Sequence, residues 1–141
     1  MNGKKQVEGL MSELLSFAEK MLNEHGEFHP FGGYLDHMGA VVHVGVQSSS
    51  EHTHAQQKID VLIKSFKKIR MQQKAVAFGI AADVNLPRSD GSKGDAIKFF
   101  LEHQDGYCAE VFFRYELGED GVEITDTIAQ QGEPLFFLSA H

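Results

Sequence analysis

Two stretches of the chain place apolar residues at helical spacing. The first runs from about Lys4 to His25, and its apolar side chains fall on one broad arc: Val7, Leu10, Met11, Leu14, Leu15, Phe17, Ala18, Met21 and Leu22. Gly26 and Pro30 favour an end to that helix, because glycine adopts the left-handed terminating conformation and proline cannot continue the hydrogen-bond ladder. The second runs to about Gln72, with Ser48, Ser49 and Ser50 as candidate N-caps and a stripe formed by Ala55, Ile59, Leu62, Ile63, Phe66 and Ile69. The pattern therefore predicts two amphipathic helices.

Elsewhere the apolar residues follow the shorter period of extended strands. We predict strands, in chain order, at Phe31–Asp36, Ala40–Val46, Ala75–Val84, Ala96–His103, Tyr107–Leu117, Val122–Thr125 and Pro134–Leu138. Leu86–Gly94 is rich in turn-forming residues and predicts a polar loop. Gln104-Asp105-Gly106 joins the two long strands, and Asp105-Gly106 is the preferred pair for a two-residue type I′ turn.

The order α-β-β-α-β-β-β, with one or two further short strands, predicts an α+β fold for residues 1–141 taken as a single domain. We expect an antiparallel sheet with both helices packed on one side. A two-residue turn would place Phe99 opposite Phe112 and Leu101 opposite Glu110 on one face of the sheet.

Large apolar residues then lie on both faces of the long hairpin, whereas a half-solvated sheet alternates apolar and polar residues. If the helices cover the face of Phe100 and Val111, the face of Phe99, Leu101 and Phe112 needs another cover. We predict a two-fold homodimer through this second face. Two alternatives remain open: the helices of one chain cover both faces of the sheet, or one face encloses a ligand.

Charge and cysteine content limit the classes of function. The net charge of −7 argues against general nucleic-acid binding. Residues 95–141 hold ten acids against two bases, whereas residues 54–74 hold six of the 13 bases and one acid. The single cysteine, Cys108, cannot form an internal disulfide, which favours a reducing compartment. With neither a signal-peptide pattern at the start nor an apolar stretch of membrane-spanning length, we predict a cytoplasmic protein.

The sequence contains only partial patterns for a catalytic site or a metal site. The chain has eight histidines, among them His25 and His29 and the pair His52 and His54, but no spacing completes a zinc ligand set, and the Asp90–Asp95 segment is a poor calcium loop. Cys108 would lie across the predicted hairpin from His103 as a thiolate–imidazolium pair, yet no oxyanion site accompanies it. The glycines match no phosphate-binding motif. We predict no catalytic residue, no metal and no cofactor, with Cys108 acting as a small hydrophobe.

The segments FAEKMLNEHGEFHPFG and AIKFFLEHQDGYCAEVFFRYEL resemble a family of small bacterial proteins to which no activity is assigned. The resemblance extends over most of the chain and implies a bacterial, cytoplasmic origin. It implies no site residues.

The acidic C-terminal third favours binding to a basic surface. We therefore predict a non-catalytic acidic binding or regulatory protein, similar to immunity proteins that neutralise a basic partner. Its predicted interfaces are the acidic residues Glu116, Glu119, Asp120 and Glu123 and the apolar set Phe99, Leu101 and Phe112. The alternative is a small-molecule binder or enzyme with a pocket between sheet and helices.

Overall fold

The computed structural model describes residues 3–46 and 54–137 as two helices and six strands. Helix α1 spans Gly3–His25 and helix α2 spans Ala55–Met71. The strands are β1 Phe31–Leu35, β2 Val41–Gly45, β3 Ala77–Pro87, β4 Lys93–His103, β5 Cys108–Gly118 and β6 Gly121–Gln131. The predicted α+β class and the antiparallel sheet are thereby confirmed.

The strands form one antiparallel sheet in the order β2-β1-β3-β4-β5-β6. Strand β6 continues to Gln131, well beyond the predicted end at Thr125, whereas Pro134–Phe137 is not a strand. The predicted loop Leu86–Gly94 is shorter in the structure, because β3 extends to Pro87 and β4 begins at Lys93, which leaves residues 88–92 as the connection, with Gly91 at φ +89°. The candidate N-caps Ser48, Ser49 and Ser50 lie outside the described residues, and His54 precedes α2.

The helices lie on opposite faces of the sheet, which corrects the prediction that both share one side. Helix α1 packs in a cluster with Ala77 and Ala81, whereas α2 packs in a separate cluster with Phe78 and Ile80. Successive strand residues point to opposite faces, so these clusters belong to different sides of β3. The strands are apolar at both odd and even positions, and each face therefore needs its own helix. We call them the α1 face and the α2 face.

Two glycines allow α1 to approach the sheet closely. Gly33 of β1 and Gly79 of β3 are directly opposite each other, and Leu14 of α1 lies over both. A Cβ atom on Gly79 would lie 2.8 Å from Leu14 Cδ1, and one on Gly33 would lie 3.0 Å from Leu14 Cδ2. Any larger residue would push the helix away from the sheet, so these positions set the depth at which α1 packs.

The hairpin between β4 and β5 has a three-residue loop, so the predicted two-residue turn is wrong. His103 is opposite Tyr107, whose carbonyl accepts from the His103 N–H at 2.8 Å, and Gly106 adopts φ +105°. His103 holds the loop: Nδ1 accepts from the Asp105 N–H at 3.0 Å, and Nε2 lies 2.7 Å from Gln6 Oε1 of α1. The added loop residue shifts the register by one and moves every β5 side chain to the other face relative to β4.

Candidate functional site

The register change divides the predicted apolar interface. Phe99 and Leu101 are 0% and 1% exposed beneath α1, so the prediction that they form an uncovered face is wrong. Phe112 lies on the α2 face opposite Lys98, whose Nζ atom is 5.8 Å from the ring centroid. Of the three apolar residues, only Phe112 remains partly accessible.

An apolar strip on the α2 face extends from Phe112 to Ile128, its direct partner on β6. Helix α2 packs against β1 and β3, on the other half of the sheet, and Ile128 is 37% exposed. Polar contacts flank this strip: Lys98 Nζ lies 3.2 Å from Glu110 Oε2, and Gln130 Nε2 donates to Glu110 Oε1 at 2.8 Å. We call Phe112 and Ile128 the Phe112 strip.

The turn between β5 and β6 gathers the predicted acidic residues at one end of the molecule. We call this set the acidic end; its members are all exposed and are Glu116, Glu119, Asp120 and Glu123. Residues 115–126 contain no lysine, arginine or histidine. Glu116 and Glu123 are direct cross-strand partners, and Leu117 beside them is 47% exposed. The structure thus gathers these carboxylates at one end of the sheet, whereas Leu117 follows Glu116 on the opposite face of β5.

Helix α1 contacts the strands of the acidic end on the α1 face of the sheet. Asn23 Oδ1, near the C-terminus of α1, accepts from the Val122 N–H at 2.7 Å. Val122 and Ile124 of β6 also pack against the α1 cluster. The acidic end is therefore held by the core of the protein.

The proposed thiolate–imidazolium pair is contradicted, because Cys108 and His103 lie on opposite faces. Cys108 is on the α2 face opposite Glu102, whereas His103 is on the α1 face against Gln6. Burial, together with the nearby Glu102 and Glu110 carboxylates, raises the pKa of the Cys108 thiol to about 11. This environment favours the neutral thiol, which is a poor nucleophile.

The raised pKa predicts slow alkylation of Cys108. At pH 8 we expect iodoacetamide to modify the native protein about a hundredfold more slowly than a free cysteine, because the thiolate fraction falls tenfold per pKa unit. The measurement is the mass shift over time, with urea-unfolded protein as the control that restores the normal rate. A native rate equal to that of free cysteine would contradict the raised pKa.

The histidines are dispersed over the described residues. Within residues 3–46 and 54–137, no three His, Cys, Asp or Glu side chains converge as a metal-binding group. His37 Nε2 lies 2.6 Å from the Gln73 carbonyl, and His43 lies 3.7 Å from a carboxylate oxygen of Glu13. His52 lies outside the described residues. In the former calcium candidate, Asp90 Oδ1 accepts from the Ser92 N–H at 2.9 Å and so serves the turn.

A buried carboxylate that the sequence reading missed holds the segment after β6. Glu102 is 1% exposed; its Oε1 accepts from the N–H groups of Leu135 at 2.7 Å and Phe136 at 3.0 Å, and Oε2 from that of Phe137 at 2.7 Å. The Phe136 ring then packs among those of Phe66, Phe78 and Phe100. The sequence signal for this contact is an acidic residue within the apolar run of β4, because a buried carboxylate needs hydrogen-bond donors around it.

A second missed pair ties the start of β1 to the sheet. The Tyr115 hydroxyl donates to Asp83 Oδ1 at 2.7 Å, and the Phe28 backbone also hydrogen-bonds to the Asp83 carboxylate. Burial raises the pKa of Asp83, and these hydrogen bonds offset the rise in part. The Asp83 carboxylate therefore joins β3 to β5 and to the connection between α1 and β1, which favours a structural role.

An open groove of about 480 Å³ lies near the end of α1. Its floor is apolar and includes Phe17, Met21, Phe28 and Phe31. Its rim carries His25, Glu27 and His29, which are all exposed. The groove can accommodate a small apolar ligand, but it has no buried polar group converging on one point.

Comparisons with models of protein families, with curated proteins and with solved structures find no match to this chain. No helix within the described ranges is long and apolar enough to cross a membrane. The functional argument therefore rests on the geometry of the surfaces described above.

Proposed function

We propose that this protein is a non-catalytic acidic binding or regulatory protein whose acidic end docks on a basic surface of a protein partner. Neutralisation of that partner, as by an immunity protein, is the regulatory mode that this surface suits best. The observation that carries the proposal is the direct pairing of Glu116 with Glu123, with no base between residues 115 and 126.

Like charges that face each other across two strands destabilise a sheet. Among the described contacts, neither Glu116 nor Glu123 forms an ion pair that would relieve this repulsion. A lysine or arginine of a partner would relieve it, and the net charge of −7 would steer that partner during encounter.

The proposal includes self-association into a homodimer through the α2 face. Support comes from the Phe112 strip, which lies on the part of this face that α2 does not pack against. A bacterial cytoplasmic setting, implied by the resemblance of residues 17–32 and 96–117, belongs to the same proposal.

The test uses Glu116→Lys, which is expected to stabilise the fold while abolishing partner binding. The new cation faces Glu123, so we expect the free energy of unfolding to rise by about 0.2–1 kcal/mol. Immobilised wild type and variant are incubated with a lysate of the source organism, and bound proteins are identified after washes at about 0.05 and 0.5 M salt.

The matched control is Glu8→Lys, which makes the same change in net charge on the exposed face of α1. We expect wild type and control to retain a basic protein that the variant loses, and we expect high salt to release it. Retention of the same proteins by Glu116→Lys would contradict the proposed docking surface.

Small-molecule binding in the groove at the end of α1 is the second candidate function. Its volume of about 480 Å³ and its apolar floor favour this alternative. An apolar metabolite that co-purifies at one molecule per chain in native mass spectrometry would place this function above the first.

A further inference from the structure

We propose that a second copy of the chain pairs with the outer edge of β6 in an antiparallel two-fold arrangement centred on Ile128. The two sheets then continue into each other, and the two Phe112 strips meet on the α2 face. This inference rests on the homodimer of the proposed function and names its interface.

The hydrogen-bond pattern identifies which backbone groups of β6 point outward. The Gly132 N–H donates to the Cys108 carbonyl at 3.1 Å, one residue beyond the pair of Ala109 and Gln131, and so continues the β5–β6 register. Inward-bonded and outward-pointing residues alternate in an antiparallel ladder. Even-numbered residues from Asp126 to Gly132 therefore bond to β5, and the outward groups belong to Thr127, Ala129 and Gln131.

The His103–Tyr107 bond at the other side of β5 gives the same alternation. In the sheet order β6 is terminal, so no described strand occupies its outer edge. Residues 125–131 are all exposed. The edge is long and free of proline and lysine, which are devices that keep edge strands from pairing. Within residues 125–131, the features that oppose pairing with another strand are the charge of Asp126 and a bulge at Thr125. The bulge interrupts the β5–β6 register between Arg114 and Tyr115.

The alternation of inward and outward backbone groups restricts how a second β6 can pair. Outward groups must face outward groups, so the dyad passes through a residue and not between two residues. Centring on Thr127 would place Asp126 against Ile128 of the second copy. Centring on Ala129 would place Ile128 against Gln130 of the second copy. Centring on Ile128 pairs it with itself and pairs Thr127 with Ala129 of the second copy.

Centring the dyad on Ile128 also avoids repulsion between carboxylates of the two copies. Asp126 falls opposite Gln130 of the second copy, so no carboxylate in the paired segment faces another. The Gln130 amide already donates to Glu110, and its second N–H is a donor that Asp126 of the second copy can accept. On the α2 face the row Phe112, Ile128, Ile128, Phe112 becomes continuous across the dyad.

A proline substitution tests the edge, because it removes one N–H. Ala129→Pro removes an outward N–H and leaves the ladder to β5 intact. The control is His43→Pro at the opposite edge of the sheet. The Asp36 N–H donates to the Ala40 carbonyl, so the even-numbered residues of β2 bond to β1 and the His43 N–H points outward. By sedimentation we expect a mass near twice 15.7 kDa for wild type and control, and a folded monomer for Ala129→Pro.

Cysteine cross-linking tests the register in a Cys108→Ser background. Directly opposed residues at a non-hydrogen-bonded pair lie close enough for a disulfide, so Ile128→Cys should cross-link under mild oxidation. Asp126→Cys should not, because four residues of offset separate the two thiols by roughly 14 Å.

The outcomes separate this inference from the proposed function. A dimeric Ala129→Pro, or cross-linking by Asp126→Cys in preference to Ile128→Cys, would overturn the β6 interface and leave the homodimer standing. A monomeric wild type at high concentration would overturn both.

Discussion

Phe99→Asp is expected to unfold the chain, whereas Phe112→Asp is expected to leave it folded as a monomer. Phe99 is fully buried beneath α1, with its ring 5.8 Å from that of Phe113. Truncation to alanine alone costs about 3–5 kcal/mol at such a site, and an uncompensated buried carboxylate costs several more. This loss is comparable with the whole stability of a small domain.

Phe112 differs because it is only partly buried, on the part of the α2 face that α2 does not pack against. Aspartate there keeps access to water and lies opposite Lys98, which can compensate its charge. We expect Phe112→Asp to cost no more than about 2 kcal/mol and to abolish the dimer. Far-ultraviolet circular dichroism, urea unfolding and light scattering check both variants.

The comparison is a direct test of which face each phenylalanine occupies. If the β4–β5 register were that of a two-residue turn, Phe99 and Phe112 would share a face and respond alike. A folded Phe99→Asp together with an unfolded Phe112→Asp would contradict the three-residue loop.

The local patterns located both helices and the strands up to β5, but not the full length of β6 or the register. Helical periodicity located α1 almost to the residue, since α1 begins at Gly3 and ends at His25. The Asp105-Gly106 pair favoured a two-residue turn, but Gln104 joins the loop because His103 bonds to both Asp105 and Gln6. That second contact joins residues 97 positions apart and is invisible to local turn preferences.

The placement of α2 was missed for a related reason. Two helices with one apolar stripe each can cover one sheet face or both, and the choice depends on which strand residues face each helix. A one-residue register error at the β4–β5 hairpin places Phe112 instead of Val111 on the face of Phe99, so the apolar residues of each face are assigned wrongly. The acidic end was predictable, because its residues lie on either side of one turn and need no long-range register. Glu102 was not, since its donors come from a segment more than 30 positions away.

Glu102→Ala is expected to lower the free energy of unfolding by about 3–5 kcal/mol. Its carboxylate accepts three successive backbone N–H groups, and charge-assisted bonds of this kind contribute about 1 kcal/mol or more each. Without it, these N–H groups reach water only if the segment detaches. Detachment also exposes Phe136, whose burial contributes about 1.5–3 kcal/mol.

Urea unfolding of wild type, Glu102→Ala and Glu102→Gln checks this expectation. Glutamine keeps one carbonyl oxygen but turns an acceptor into a donor that faces the Phe137 N–H, so it should recover only part of the loss. Glu110→Gln is the matched control on the same face, where a half-buried carboxylate loses only contacts to Gln130 and Lys98.

Hydrogen exchange supplies the local readout. Amides of Leu135, Phe136 and Phe137 should lose protection in Glu102→Ala and keep it in Glu110→Gln, because the Glu102 oxygens are the acceptors that shield them. Exchange that remains slow at these amides in Glu102→Ala would show that aromatic packing of Phe136 holds the segment without the carboxylate. In that case the cost of the substitution should fall to that of an ordinary partly buried acid, near the value for Glu110→Gln.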